Sequence, residues 1–292
     1  VYEGQTQYYG QVIAARSGLL TAQQAMDSLA LTAATYDTRV GREWRAMQDT
    51  TNDPIISQRQ AKGWLSWQRD EDYYSEGQLI WLDVDTLIRE KTNGRKSLDD
   101  FARAFYGVQD GDYAPAPYTF DDVVAALNGV VANDWATFLR SRLDADGPDA
   151  RAPLDGLARG GWRLTYADTP THYMKTLYSE LKRNDFTYSL GFQTGEGNKI
   201  RSVQWNGPAF KAGLAVGMEI VAVGGQASTP DRLAAAVTAA KDPAVPVTLI
   251  VKDGDQFKTV VLDYHDGLRY PRLERIPGAP DRLTDILTPR RR

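Results

Sequence analysis

The residue types of this chain exclude several kinds of catalytic site. It has 292 residues and no cysteine, which excludes disulfides, thiolate nucleophiles and thiolate zinc sites. Neither of its two histidines, His172 and His265, belongs to an H-E-x-x-H zinc motif. No G-x-S-x-G element is present either, so a serine protease would lack its nucleophile. Three residues stand in short patterns that could carry chemistry: a carboxylate, Glu3, and two adjacent phenols, Tyr73 and Tyr74.

These candidates stand in two short patterns. Glu3 opens the stretch Glu3–Tyr9, which reads E-G-x-T-x-Y-Y, and Tyr74 opens Tyr74–Gly77, which reads Y-x-x-G. Taken alone, Glu3 could be an ordinary carboxylate in the first turn of a helix, where the helix dipole favours it. Tyr74 could equally be a tyrosine packed at the N-terminus of a helix. Neither pattern by itself chooses between a structural and a functional role.

Both patterns, in this order, resemble motifs of the glycyl aminopeptidase family of zinc metallopeptidases. That family joins a thermolysin-like catalytic domain to a PDZ domain. The resemblance implies that Glu3 is the third zinc ligand and that Tyr74 donates a hydrogen bond to the oxyanion of the tetrahedral intermediate, with Tyr73 as the second choice. Glu76 stands where the family often has lysine, a departure that leaves the tyrosine unaffected.

The zinc site that the resemblance implies would be incomplete in this chain. A hydrolytic zinc keeps three protein ligands and one open position for water. The family takes two histidine ligands and the general base from an upstream H-E-x-x-H helix, and Glu3 alone cannot hold the metal. The chain begins at Val1 rather than at methionine, which indicates a piece of a longer protein. We therefore expect the C-terminal part of a zinc aminopeptidase that removes Gly or Ala from peptides, inactive by itself.

A second resemblance lies further along the chain. The stretch Asn206–Gly225 looks like the central part of a bacterial PDZ domain, and the preceding Ser189-Leu190-Gly191-Phe192 resembles its carboxylate-binding loop. Leu190, Gly191 and Phe192 are the peptide-binding residues that this resemblance implies. The following strand would offer an edge to a peptide or chain terminus. The alternative is a groove that is empty or filled by the same chain.

The elements that must position these residues change in character along the chain. The first part has helical periodicity, with a strong amphipathic segment over Asp72–Lys91. Thr21, Ser97, Thr119 and either Asn133 or Asp134 stand at positions typical of helix caps.

A Gly- and Pro-rich stretch follows, and beyond it the pattern becomes that of short strands. The predicted strands are Trp162–Tyr166, Tyr188–Gln193, Ile200–Trp205, Glu219–Val223, Val247–Lys252 and Phe257–Leu262. Asp253-Gly254 predicts a hairpin between the last two. One helix, Thr229–Ala240, interrupts them.

These patterns predict a multidomain α + β protein. The mainly α-helical C-terminal half of a thermolysin-like catalytic domain would occupy residues 1–145, followed by a linker over 146–182. A PDZ-like β domain would occupy residues 183–265, and a packed tail without chemistry residues 266–292.

Composition restricts the remaining classes of function. Hydrophobic residues make up 42% of the chain and charged residues 25%, as in a globular protein. The net charge of −4 argues against a nucleic-acid partner, and no apolar run is long enough to span a membrane. Arg290–Arg292 form a short basic tail, expected to be solvated. The resemblance favours a periplasmic or secreted protein. A non-catalytic PDZ scaffold that binds peptides is the main alternative to the peptidase.

Overall fold

The structure, a computed structural model, describes residues 2–106 and 110–289. Val1 and the basic tail of Arg290–Arg292 lie outside the described residues. The helices are α1 (Tyr2–Arg16), α2 (Ala22–Asp37), α3 (Asp53–Ile56), α4 (Leu65–Gln68), α5 (Ser75–Lys91), α6 (Leu98–Tyr106), α7 (Phe120–Val130), α8 (Trp135–Leu143), α9 (Asp155–Arg159), α10 (His172–Glu180), α11 (Pro208–Lys211), α12 (Pro230–Ala239) and α13 (Arg282–Leu287). The strands are β1 (Trp162–Ala167), β2 (Asn184–Phe186), β3 (Phe192–Thr194), β4 (Ile200–Val203), β5 (Glu219–Val223), β6 (Gln226–Ala227), β7 (Val247–Asp253), β8 (Gln256–Leu262) and β9 (Tyr270–Arg275).

Three of the predicted capping residues stand at the start of helices in the N-terminal part of the chain. Thr21 and Gln24 form a reciprocal capping box at the start of α2, and Thr119 does the same with Asp122 at the start of α7. Asp134, one of the two candidates, caps α8 by accepting from the amide of Thr137. Because caps satisfy orphan amides locally, they are readable from short stretches of sequence.

Helix α5 is the centre of the helical part, which consists of α1–α9 with α13. It is buried on nearly every side, as expected for a helix surrounded by other elements rather than lying on a surface. Its polar residues are therefore paired. Asp83 accepts from Arg142 at 2.6 Å and from Arg159 at 2.7 Å, and such pairing is what makes a buried carboxylate tolerable.

Beside the two-stranded sheet of β1 and β9, two further small sheets follow the helical part. One has the order β2-β3-β4 and the other β6-β5-β7-β8, and every pairing in them is antiparallel. Together with α11 and α12 they form the β module, which has its own hydrophobic core. The hairpin predicted at Asp253-Gly254 is present between β7 and β8. The predicted strand Tyr188–Gln193 is wrong in its bounds, because residues 187–191 form the turn between β2 and β3.

The segments read as linker and tail contain regular structure. The linker range of residues 146–182 holds α9, β1 and α10, and β1 pairs antiparallel with β9, from Trp162 opposite Arg275 to Ala167 opposite Tyr270. The tail then returns to the helical part, where Leu283 and Ile286 of α13 are buried in the same core as α1, α2 and α5. The C-terminal helix α13 therefore packs against the helices of the N-terminal part.

Aromatic side chains join the β module to the helical part. Trp205, which follows β4, stacks on Trp67 of α4 at a ring-centroid distance of 5.4 Å and meets Trp64 edge-on at 5.5 Å. The backbone amide of Trp205 also donates to the Ser66 hydroxyl at 2.8 Å. This contact combines apolar area with a satisfied hydrogen bond, as interfaces between packed domains do.

No helix within residues 2–106 and 110–289 combines the length and the apolar composition needed to cross a bilayer.

Candidate functional site

A close crossing of two helices brings the sequence-predicted residues together. Gly4 of α1 lies against Gly77 of α5, so that a Cβ atom built on Gly4 would lie 2.6 Å from the Cα atom of Gly77. No side chain fits between the two backbones at that distance. Glu3 immediately precedes Gly4, and Tyr74 lies one helical turn before Gly77. The two glycines therefore set Glu3 beside Tyr74.

The Glu3 carboxylate and the Tyr74 phenol interact directly. Burial raises the pKa of Tyr74, and the negative charge of Glu3 together with a side-chain hydrogen bond from the phenol to Glu3 raises it further. Both side chains are partly exposed, so the pair opens to solvent rather than into the core. A phenol whose pKa is raised stays protonated at neutral pH and can act as a hydrogen-bond donor.

Tyr73 stands next to this pair. Its ring lies 4.8 Å from that of Tyr74, centroid to centroid. Burial, followed by the charge of Glu71, raises the pKa of Tyr73 to about 12, with smaller contributions from Tyr74 and Glu3. Tyr73 also lines a small cleft with Gly4 and Gly77. The side chain bonded to Glu3 is nevertheless Tyr74, the first choice from the sequence.

Two further tyrosines lie near the site but belong to neither of the two sequence motifs. Burial raises the pKa of Tyr118, and the neighbouring Tyr2 and Glu3 raise it as well. Tyr106, at the end of α6, donates a hydrogen bond to the side chain of Gln5. Both lie near the connection between α6 and α7. Their approach to α1 depends on tertiary packing, so no short sequence pattern predicts it.

A buried ionic cluster supports the start of α5 beside Tyr74. Arg69 is only 2% exposed and donates to Asp72 at 2.8 Å, to the carbonyl of Arg45 at 2.6 Å and to Glu76. Arg42 also pairs with Glu76. Asp72 and Glu76 flank Tyr74 in sequence, so this cluster fixes the turn from which the phenol projects.

The Arg69 backbone is strained. Its φ of +58° and ψ of 165° lie in a region that only glycine adopts readily, at a cost of about 1–3 kcal/mol for other residues. The bonds made by its guanidinium hold it there. Glu76, where the family often has lysine, is thus the acidic partner of two buried arginines.

The rest of the E-G-x-T-x-Y-Y stretch has structural roles. The Tyr8 hydroxyl donates to Asp85 of α5 at 2.6 Å, and both side chains are buried. Asp85 also accepts from Arg89 at 3.0 Å and from the backbone amide of Leu98 at 2.8 Å. Tyr8 therefore ties α1 to α5 one turn beyond the glycine crossing, which helps to hold Glu3 in place.

The donor set at this site fits part of a zinc centre. Glu3 offers one carboxylate, and within the described residues no Lys or Arg forms an ion pair with it. No group of three His, Asp or Glu residues able to hold a metal occurs in residues 2–106 and 110–289. The residues present suit one ligand of a zinc ion, and further ligands would have to come from elsewhere.

The predicted peptide-binding loop is buried. Leu190, Gly191 and Phe192 are inaccessible, and Gly191 adopts a φ of +83°. The Gly191 amide donates to the carbonyl of Phe186 at 2.9 Å, so it is not free for an incoming carboxylate. The Leu190 carbonyl accepts from Ala209 at 2.9 Å.

The prediction of a free strand edge after this loop is wrong. That strand, β3, pairs with β4 on one side and with β2 on the other. A peptide adds to a sheet through unpaired amides and carbonyls at an edge, and β2 occupies the edge that a peptide would need. A segment of the same chain therefore occupies this edge. Peptide binding by Leu190, Gly191 and Phe192 stays a prediction.

Comparisons with known proteins agree with the sequence reading. Residues 1–80, which contain Glu3 and Tyr74, match the M61 glycyl aminopeptidase family. The fold resembles the crystal structure of an aminopeptidase N family protein from Idiomarina loihiensis, with a TM-score of 0.65 and 18% sequence identity. That similarity covers 99% of this chain and 48% of the other, so the chain spans about half the length of that protein. No curated protein matches the chain significantly in sequence. The match over residues 1–80 is a similarity to the M61 glycyl aminopeptidase family, in the part of the chain where the motifs around Glu3 and Tyr74 predict it.

Proposed function

We propose that this chain is the C-terminal part of a zinc-dependent aminopeptidase that removes small N-terminal residues, Gly or Ala, from peptides. The observation that carries the proposal is the contact between the Glu3 carboxylate and the Tyr74 phenol, brought together by the Gly4–Gly77 crossing. The two residues are far apart in sequence and are the two that the family motifs single out. The match over residues 1–80 supports the same reading.

In this mechanism each residue has a defined task. Glu3 would supply one carboxylate ligand to a zinc ion, whose chemistry there would be to polarise the scissile carbonyl and activate water. Tyr74 donates its phenolic hydrogen bond to the oxygen on which negative charge develops, and its raised pKa keeps that proton in place at neutral pH. The two histidine ligands and the general base would come from an H-E-x-x-H segment that this chain does not contain.

The preference for Gly rests on the name of the matched family, and Ala is the other small residue that the sequence resemblance implies. The part of the site described here has aromatic neighbours, Tyr73, Tyr74 and Tyr118, around Glu3. Bulky rings near a metal-binding carboxylate limit the space left for a substrate side chain, which is consistent with small residues.

The proposal is tested by measuring hydrolysis of glycyl and alanyl substrates. A protein that joins this chain to its H-E-x-x-H segment should hydrolyse them, lose activity with a chelator and regain it with zinc. The pure 292-residue chain should show no activity. Zinc-dependent hydrolysis by the pure chain would contradict the division of the site, and an inactive zinc-loaded full protein would contradict the assigned reaction.

We also propose that the β module is a PDZ-like domain. The support is its antiparallel sheets with the helix α12, in the order read from the sequence. The peptide-binding scaffold is the weaker candidate, because β2 covers the edge of β3. Titration with peptides ending in a free carboxylate tests it. Saturable binding would support the scaffold function, and its absence would argue against it.

A further inference from the structure

A polar cavity of about 420 Å³ lies between the helical part and the β module. Arg39 and Lys62 line it from the helical part, and Arg183 and Arg201 line it from the β module side. Thr35 from the helical part and Thr187, Tyr188 and Ser202 from the β module side add hydroxyl groups to the lining. The chain as a whole carries a net charge of −4, so four cationic side chains around one cavity are a local concentration of positive charge.

The four cations differ in how their charge is balanced. Lys62 pairs with Asp53 at 2.6 Å and with Asp70 at 2.9 Å. Arg39 pairs with Asp72. In the described part of the chain, Arg183 and Arg201 have no carboxylate within 4.0 Å. The excess positive charge of the cavity therefore comes from the β module side.

Two buried polar atoms of the lining lack partners among the described residues. They are Nε of Arg183, a donor, and Oε1 of Gln204, an acceptor. Buried polar atoms are nearly always satisfied by protein, water or ligand. An oxyanion that also carries a hydroxyl would satisfy both, because its oxygens accept from the guanidinium and its hydroxyl donates to the amide oxygen.

We propose that this cavity binds a small oxyanion with two or more negative charges, of the phosphate or hydroxy-polycarboxylate type. Arg183 and Arg201 supply charge-assisted hydrogen bonds, and the hydroxyl groups of the lining complete the shell. Because the cavity is walled by both the helical part and the β module, the ligand bridges them and stabilises their association. The site does not involve Glu3 or Tyr74 and is independent of the proposed peptidase chemistry.

Isothermal titration of the full 292-residue chain with inorganic phosphate, and separately with citrate, tests the proposal. Sodium chloride at matched ionic strength is the reference. We expect saturable one-site binding of at least one of the two anions. Arg183→Gln and Arg201→Gln should each weaken it about tenfold, because each removes a hydrogen bond to a charged group. Arg103→Gln removes an exposed helix charge outside the cavity and should change Kd less than about twofold.

The outcomes separate the two ligand types. Binding of phosphate alone identifies a compact tetrahedral anion, and binding of citrate alone identifies a longer carboxylate ligand. Neither arginine makes an ion pair within the described residues, so both variants should keep the thermal unfolding of the parent chain. Absence of saturable binding with both anions, or equal affinity in the parent and both cavity variants, overturns the proposal.

Discussion

Gly4 and Gly77, which lie in different helices far apart in sequence, are in backbone contact. A Cβ atom on either one would lie within 2.8 Å of the Cα atom of the other. Gly4 belongs to the motif of Glu3 and Gly77 to the motif of Tyr74. These two glycines therefore allow the two motifs to come into contact. The requirement for glycine is steric, since both residues lie in regular α-helix where any side chain could otherwise be accommodated.

Gly4→Ala should destabilise the chain. The added methyl group meets the backbone of α5 rather than a flexible side chain, so α1 must move away. We expect the free energy of unfolding to fall by about 1–3 kcal/mol, measured by urea unfolding. Gly10→Ala is the matched control in the same helix, because among the described atoms nothing lies within 4 Å of its added Cβ.

The control should move in the opposite direction. Alanine is a better helix former than glycine by about 0.5–1 kcal/mol, so Gly10→Ala should raise the free energy of unfolding. Equal effects of the two substitutions would show that α1 and α5 do not cross in contact at Gly4.

Glu3→Gln should lower the pKa of Tyr74. The Glu3 carboxylate opposes formation of the phenolate, and a neutral amide of similar shape removes that opposition. Ultraviolet absorbance titration measures phenolate formation, and the difference from the same titration of a Tyr74→Phe variant isolates this residue. Glu180→Gln, an exposed position on α10, is the control. An unchanged Tyr74 pKa in the Glu3 variant would place the two side chains apart.

Tyr74→Phe should lower kcat of the complete zinc-loaded enzyme by about 10²–10³-fold, the loss typical of one oxyanion donor. Its zinc content should stay unchanged, because Tyr74 is not assigned as a ligand. Tyr73→Phe removes the adjacent phenol and should change kcat less than about tenfold. Steady-state kinetics and metal analysis measure both effects. A near-normal rate in the Tyr74 variant would remove this residue from the mechanism.

Arg69→Met should be strongly destabilising. The change leaves Asp72 and Glu76 buried without one of their cationic partners, and breaking a buried ion pair costs about 3–5 kcal/mol. Arg103→Met, which removes an exposed pair with Asp100, should cost less than about 0.5 kcal/mol. Chemical unfolding of the two variants compares them. If both losses are equally small, the buried cluster does not hold the start of α5.

Local features of this protein followed from its sequence. The capping residues Thr21 and Thr119 and the hairpin at Asp253-Gly254 act on neighbours a few positions away, so short patterns carry the information. The motif residues Glu3 and Tyr74 were also identified there, because each motif is contiguous. The resemblance of the two motifs to those of one family rests on their order along the chain.

The tertiary structure alone decided which distant elements meet. The approach of Gly4 to Gly77, the covering of β3 by β2 and the return of α13 to the helical core all join segments separated by other elements. Such contacts depend on the shape and burial of whole faces, and no local pattern encodes which face will be covered. The sequence determined what Glu3 and Tyr74 are able to do, and the packing of α1 against α5 put them side by side.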